Sequence, residues 1–235
     1  MAVAASTHAQ VNFVAATTNI ATNITIGGSN LALVGIVCVS SATINVTSAS
    51  WSLGGTPVQI SSTRSAGPGN LLMSAWSCPA PSSGSGTWKF GFSASAECIG
   101  VLASYTGADQ TAPVANADTA TSLSVSTNVV LTPLNLTAND ASLFLGANVV
   151  NGNWSSSTPT QFFISNSTAI GDLSGGATGT TGVHEFNDGG FVSQEALMMA
   201  IRIKAAAAAG SAIRLLYPWG SGDFTGGIFS NNKIS

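Results

Sequence analysis

The chain has 235 residues, only 6% of them charged, with six Lys and Arg and a formal net charge of −3, whereas an average soluble domain carries about 25% charged residues. This length suits one large all-β domain or two small ones, and it can bury a core without a disulfide or metal staple. So few basic residues leave no stripe for a phosphate backbone, which argues against nucleic acid, and the 45% hydrophobic content argues against disorder.

Met1–His8 lacks the basic segment and apolar run of a secretory signal. The longest apolar run, Leu31–Val39, is about half of what a membrane span needs, so no membrane is expected as a partner. In chain order, Val11–Ala16 reads as a first strand, and Asn23–Ile26 extends toward a turn at Gly27-Gly28-Ser29-Asn30. Leu31–Ser40 reads as a buried strand, Ile44–Trp51 alternates, and Pro57–Ser61 suits a short edge strand. A loop over Thr63–Asn70 follows. Leu71–Trp76 then leads into the breaker run Pro79–Gly86.

Beyond it, Trp88, Phe90 and Phe92 share one side of a strand, a period of two that marks a half-buried element. Cys98–Leu102 is apolar at both parities, as in a strand covered on both faces. The segments 71–76, 88–92 and 97–105 therefore read as three consecutive strands at the nucleus of an antiparallel sandwich. Thr111–Thr119 looks irregular, Ser122–Leu131 alternates as a strand, and Ala141–Val150 is a second strong core strand. Asn151–Pro159 is a polar loop, Gln161–Ser165 a strand, and Gly171–Gly190 a loose loop or hairpin. Gln194–Gly210 has helix-forming residues, yet Leu197, Met199, Ile201 and Ile203 alternate with Arg202 and Lys204, which favours a closing strand over Glu195–Lys204.

The whole predicts an all-β antiparallel sandwich, jelly-roll-like, over residues 1–204. Residues 205–235 form an Ala-rich joint and an irregular C-terminal arm, apolar but without a period.

Chemistry-bearing clusters are sparse. Cys38, Cys78 and Cys98 are spread out and are expected reduced and buried. His8 and His184 stand alone. Asp172, Glu185 and Asp188 share a Gly-rich stretch, but their spacing fits no calcium loop, so neither a metal nor a cofactor is expected. Glu97 and Glu195 read as charges flanking strands rather than as a glycosidase pair. No nucleophile elbow, phosphate loop or dinucleotide fingerprint occurs, and no enzymatic activity is expected. Asn-x-Ser/Thr triplets begin at Asn23, Asn45, Asn135, Asn153 and Asn166, as an Asn-, Ser- and Thr-rich chain yields by chance. Trp51 and Trp154 fall near loops, where a flat indole could stack on a sugar ring or else plug an open end of the sandwich.

Trp76-Ser77-Cys78-Pro79, the strand Trp88–Phe92 and the turn Ala103–Pro113 resemble a Gly/Ser/Thr-rich β-sandwich module of phage virion and tail-associated proteins and of bacterial surface proteins. In that turn Gly107 suits positive φ, Asp109 can bond its own backbone, and Pro113 blocks further pairing. The resemblance covers Leu31–Lys204 loosely and carries structural residues rather than catalytic ones. Together with the sparse charge and the missing export signal, it implies a virion structural component. Such a protein would be a homo-oligomeric capsid decoration protein or a fibre or tail subunit, meeting a major capsid protein or other virion proteins. Contacts are expected at Tyr217, Trp219, Phe224, Ile228 and Phe229 in the arm. The alternative is a carbohydrate-binding adhesion module that meets a host-surface glycan through Trp51 and Trp154.

Overall fold

A computed structural model describes residues 2–67, 70–122, 128–134, 137, 139–148, 156–158, 161–165, 168–174, 182–187 and 196–207. Among them the regular structure is entirely strand: β1 (Ala4–Ile26), β2 (Ala32–Ser40), β3 (Val46–Trp51), β4 (Val58–Arg64), β5 (Leu71–Pro79), β6 (Gly84–Thr106), β7 (Val114–Ser122), β8 (Asn128–Leu134), β9 (Ala141–Asn148), β10 (Ser156–Thr158), β11 (Gln161–Ser165), β12 (Thr168–Ser174), β13 (Gly182–Asn187) and β14 (Ala196–Ile203). A six-stranded sheet runs β1-β6-β2-β5-β4, with β3 also on β6. A five-stranded sheet runs β11-β12-β9-β14-β7, and a three-stranded one runs β10-β13-β8. Every pairing is antiparallel. The chain is an all-β sandwich.

The period of two decides which side chains meet. On one face of the β6-β2-β5 layer, Val34, Ile36, Met73, Ala75, Val101, Ala103 and Tyr105 pack against Leu143 and Leu145 of β9 and Leu197, Met199 and Ile201 of β14. On the other face, Leu33, Val37, Leu72, Trp76, Cys78 and Leu102 meet Trp88, Phe90 and Phe92 of the first half of β6, Ile20, Ile24 and Ile26 of β1, and Trp51 of β3. One strand thus serves two layers. The second half of β6 lies in the middle of the molecule, and its first half turns back to cover that middle layer.

The 23-residue strands β1 and β6 make this possible. Their pairing breaks register at Val11/Val14, Val14/Thr17 and Thr17/Asn19, opposite Gly91–Gly100, and such irregularities bend and twist a strand pair. Val11–Ala16 and Asn23–Ile26 are therefore parts of one strand, as are Trp88–Phe92 and Glu97–Tyr105. Pairing with β1 carries the chain across these irregularities, and Ser93–Ala96 contains no Gly, Pro or Asn that would oppose it. The three consecutive strands expected at the nucleus are two, and they are not neighbours, because β2 lies between β5 and β6.

Three further expectations are corrected. Thr111–Thr119 is not irregular throughout: β7 begins at Val114 and pairs with β14 over its length. An end strand of a sheet needs little apolar alternation, which is why Ala, Asn and Thr concealed it. The Gly171–Gly190 stretch contributes the end of β12 and all of β13, which pair with β9 and β8. The edge strand expected over Pro57–Ser61 begins at Val58 and runs on to Arg64, held by Arg64 bonds to the carbonyls of Ser41, Asn70 and Ile44. Alternation over 195–204 was the better guide there: β14 is a strand, between β9 and β7. The C-terminal arm lies outside the described residues, but the joint before it is tied down, Ala205 bridging Ala108 and the Ala206 N–H donating to the Gly107 carbonyl at 2.8 Å.

Gly35 of β2 sits where the layers come closest. A Cβ there would lie 2.8 Å from Phe90 Cζ and 3.4 Å from both Leu102 Cδ1 and the Val101 carbonyl. Phe90 is fully buried and has no space to retreat into. Gly35→Ala is expected to cost about 1–3 kcal/mol of unfolding free energy by urea titration, an overpacking penalty. Gly27→Ala, with nothing within 4 Å of the new methyl, serves as the neutral control.

Cys38, Cys78 and Cys98 are buried and none is in a disulfide. Burial pushes the Cys78 and Cys98 thiols up to about 11, which suppresses the reactive thiolate. The folded protein is expected to be inert to a thiol-disulfide reagent at pH 8, with all three thiols titrating after denaturation.

Candidate functional site

Two acidic side chains, Asp109 and Asp140, build joints. In the turn after β6, Gly107 has φ 73°, and Asp109 Oδ1 accepts the N–H groups of Thr111 (2.8 Å) and Ala112 (3.0 Å). Asp109 Oδ2 is 2.9 Å from Lys204 Nζ, and the Asp109 N–H donates to the Lys204 carbonyl at 2.9 Å. Pro113 does not end pairing: its carbonyl accepts the Lys204 N–H at 2.6 Å. Gly107 and Ala108 also donate to Ser29 and Asn30 in the β1–β2 loop. One turn therefore locks the six-stranded sheet to the end of β14.

Asp140 is the second joint. Its buried carboxylate is 2.6 Å from Arg202 Nη2 and accepts the Ala205 N–H at 2.9 Å and the Thr137 N–H at 2.9 Å. The Thr137 hydroxyl also donates to it. Burial works to raise its pKa, but the hydrogen bonds from Thr137, Ala205 and Arg202 outweigh burial and hold it below the usual carboxylate range. With every donor directed at one carboxylate, this cluster suits anchoring rather than proton transfer. Among the described residues no three His, Cys, Asp or Glu side chains gather as a metal site. Glu97 stands exposed on β6, while Glu195 lies outside the described residues. Asp172 is on β12 and Glu185 on β13, in different sheets, and Asp188 lies outside the described residues.

A surface groove lies elsewhere, on the outer face of the first half of β6. It measures about 340 Å³ and is lined by Asn23, Ile24 and Thr25 of β1, Ser52 after β3, and Ser85, Gly86 and Thr87 of β6. Register brings these together: Asn23 pairs with Thr87, Ile24 with Gly86 and Thr25 with Ser85. Thr87 Oγ1 donates to Asn23 Oδ1 at 2.7 Å, the Thr25 and Ser85 hydroxyls share a 2.7 Å bond, and the Thr87 N–H donates to Ser52 Oγ at 2.8 Å. The lining carries no formal charge.

Of the aromatic residues proposed for sugar stacking, Trp51 is only 5% exposed, and its indole N–H donates to the Ser82 carbonyl at 3.2 Å. It closes the end of the second core and offers no face to a ligand. Trp154, and Tyr217, Trp219, Phe224, Ile228 and Phe229 of the arm, lie outside the described residues. Nothing local in the sequence marks the groove; Asn23 stands out there only as the start of an Asn-x-Thr triplet. Comparison with family models, curated proteins and solved structures finds no match.

Asp109 supplies a pH test. The N–H of Ala112, the Lys204 ammonium and the N–H of Thr111 lower its carboxyl to about 2 from an ordinary 3.8. A depressed folded-state value means stabilisation that is complete above the ordinary value and lost as pH falls through the folded one. Unfolding free energy is thus expected to drop between pH 4 and pH 2 in denaturant titrations, and Asp109→Asn should make that drop shallower. At pH 7, Asp140→Ala should cost about 3–5 kcal/mol, because it strands the partly buried Arg202.

Proposed function

We propose that the chain is a non-enzymatic structural protein of a bacteriophage particle, a capsid decoration protein or a fibre or tail subunit, that acts by subunit–subunit packing. The observation that carries the reading is the charge-poor composition, 6% of residues, on a scaffold whose middle layer is covered on both faces. A weakly charged surface offers little electrostatic resistance to permanent association. The β3 edge supports it further, since among the described strands β3 pairs with β6 alone, and an open edge is a template for another chain.

The partners on this reading are copies of the chain itself and a major capsid protein or other virion proteins. The arm residues Tyr217, Trp219, Phe224, Ile228 and Phe229 provide the apolar anchor, as buried aromatics do in interfaces. Deleting residues 211–235 should leave a protein with a native strand circular-dichroism spectrum that no longer assembles in sedimentation velocity. Unchanged assembly would remove the arm from the account, and a full-length chain that stays monomeric at high concentration would overturn the reading itself.

A further inference from the structure

The groove on the outer β1–β6–β3 face has the chemistry of a small-ligand site, and we infer that it binds a neutral saccharide of one or two sugar units. At about 340 Å³ it falls at the small end of ligand pockets, roughly 300–1,000 Å³. Its polar groups come as donors and acceptors side by side, the arrangement that matches adjacent sugar hydroxyls. Asn23 Oδ1 is engaged by Thr87, which leaves the amide NH₂ donors, while the Thr87 hydroxyl, having donated, keeps its lone pairs. Ser52 Oγ accepts the Thr87 N–H and keeps its own proton to donate. The Thr25–Ser85 pair uses one of two hydroxyl protons and leaves the other.

These groups are also held in place before any ligand arrives. Each sits on or beside a paired strand, and the floor is filled from below: a Cβ on Gly86 would come within 2.7 Å of two carbons of the buried Trp51 ring. A fixed constellation loses little freedom on binding. The ligand class follows from charge. With no cation in the lining, a phosphate or carboxylate finds no counter-ion, and with no carboxylate a cation finds none. Lys89 is exposed on the same strand but outside the groove, its position paired with Ala21 and Ser50. The absence of an aromatic wall sets the affinity in the millimolar range, so function would require many copies acting together. The site itself does not depend on the assembly reading.

Saturation-transfer NMR on the full chain tests this at any oligomeric size, using glucose, maltose, cellobiose and lactose, with glucose 6-phosphate as the charged comparator. At least one neutral sugar should give transfer. Thr87→Val, which keeps a good strand former, and Ser52→Ala should each weaken binding about 3- to 10-fold, the loss of one hydrogen bond, while Lys89→Gln leaves it unchanged. No transfer to any neutral sugar, transfer to the phosphate alone, or wild-type binding by both Thr87→Val and Ser52→Ala would overturn the inference. Each of these outcomes leaves the sedimentation test of assembly untouched.

Discussion

The end of the Phe90 ring resting where Gly35 has no side chain is the contact on which the architecture depends. Leu102 approaches the same glycine from the neighbouring position on β6. One strand therefore supplies both the neighbour and the cover of β2, and the only residue that lets all three approach is one without a Cβ. Trp88 meets Phe90 edge-on, centroids 5.7 Å apart at 72°, a favourable geometry for aromatic pairs. This aromatic row turns what would be the solvent face of an ordinary sandwich sheet into a second core. The near-continuous burial of β2, β5 and the second half of β6 follows from that.

A middle layer covered on both sides must still be joined to the five-stranded sheet, and the joint is polar. The turn at Gly107–Pro113 and the Asp140 cluster converge on the end of β14 and on Ala205. A buried ion pair adds little net stability over a hydrophobic pair of the same size, yet breaking one is costly. The Asp140–Arg202 pair is therefore best understood as fixing register: sliding β14 by one residue would carry Arg202 to the apolar face and leave the carboxylate stranded. In a chain with so few charges, the described Asp109 and Asp140 are both spent on this one seam.

Much of the fold was legible because burial and alternation are written residue by residue. Trp88, Phe90 and Phe92 in phase marked one covered face, and the unbroken apolar run at Cys98–Leu102 marked two. What composition could not reveal is that these segments belong to one bent strand, because bulges opposite β1 arise from pairing across the chain rather than from local residues. Strand β7 was hidden for a similar reason: its extended form is imposed by β14, not by its own Ala and Thr. The groove was illegible altogether. Asn23 and Thr87 are 64 positions apart, and Ser, Thr and Asn are the commonest currency of this surface. Only register picks out the few that converge. Trp51 had two readings, stacking on a sugar or plugging an end of the sandwich, and the layer beneath it decides for the plug.

The same neutral chemistry suits both packing between subunits and recognition of a sugar, and local shape separates the two. On the outer β1–β6–β3 face, hydroxyls are partly satisfied by one another, so covering them costs less than covering free charges would. Flat parts of such a surface can press against a neighbour, but a second sheet laid across this face would have to bury Lys89, exposed at its centre between Ala21 and Ser50. An ammonium covered without a counter-charge is costly. The face that holds the groove is therefore poorly suited to subunit contact, and assembly through the arm or the β3 edge would leave it turned to solvent. Lys89 then guards the groove without entering it, which is why its removal should alter association before it alters sugar binding.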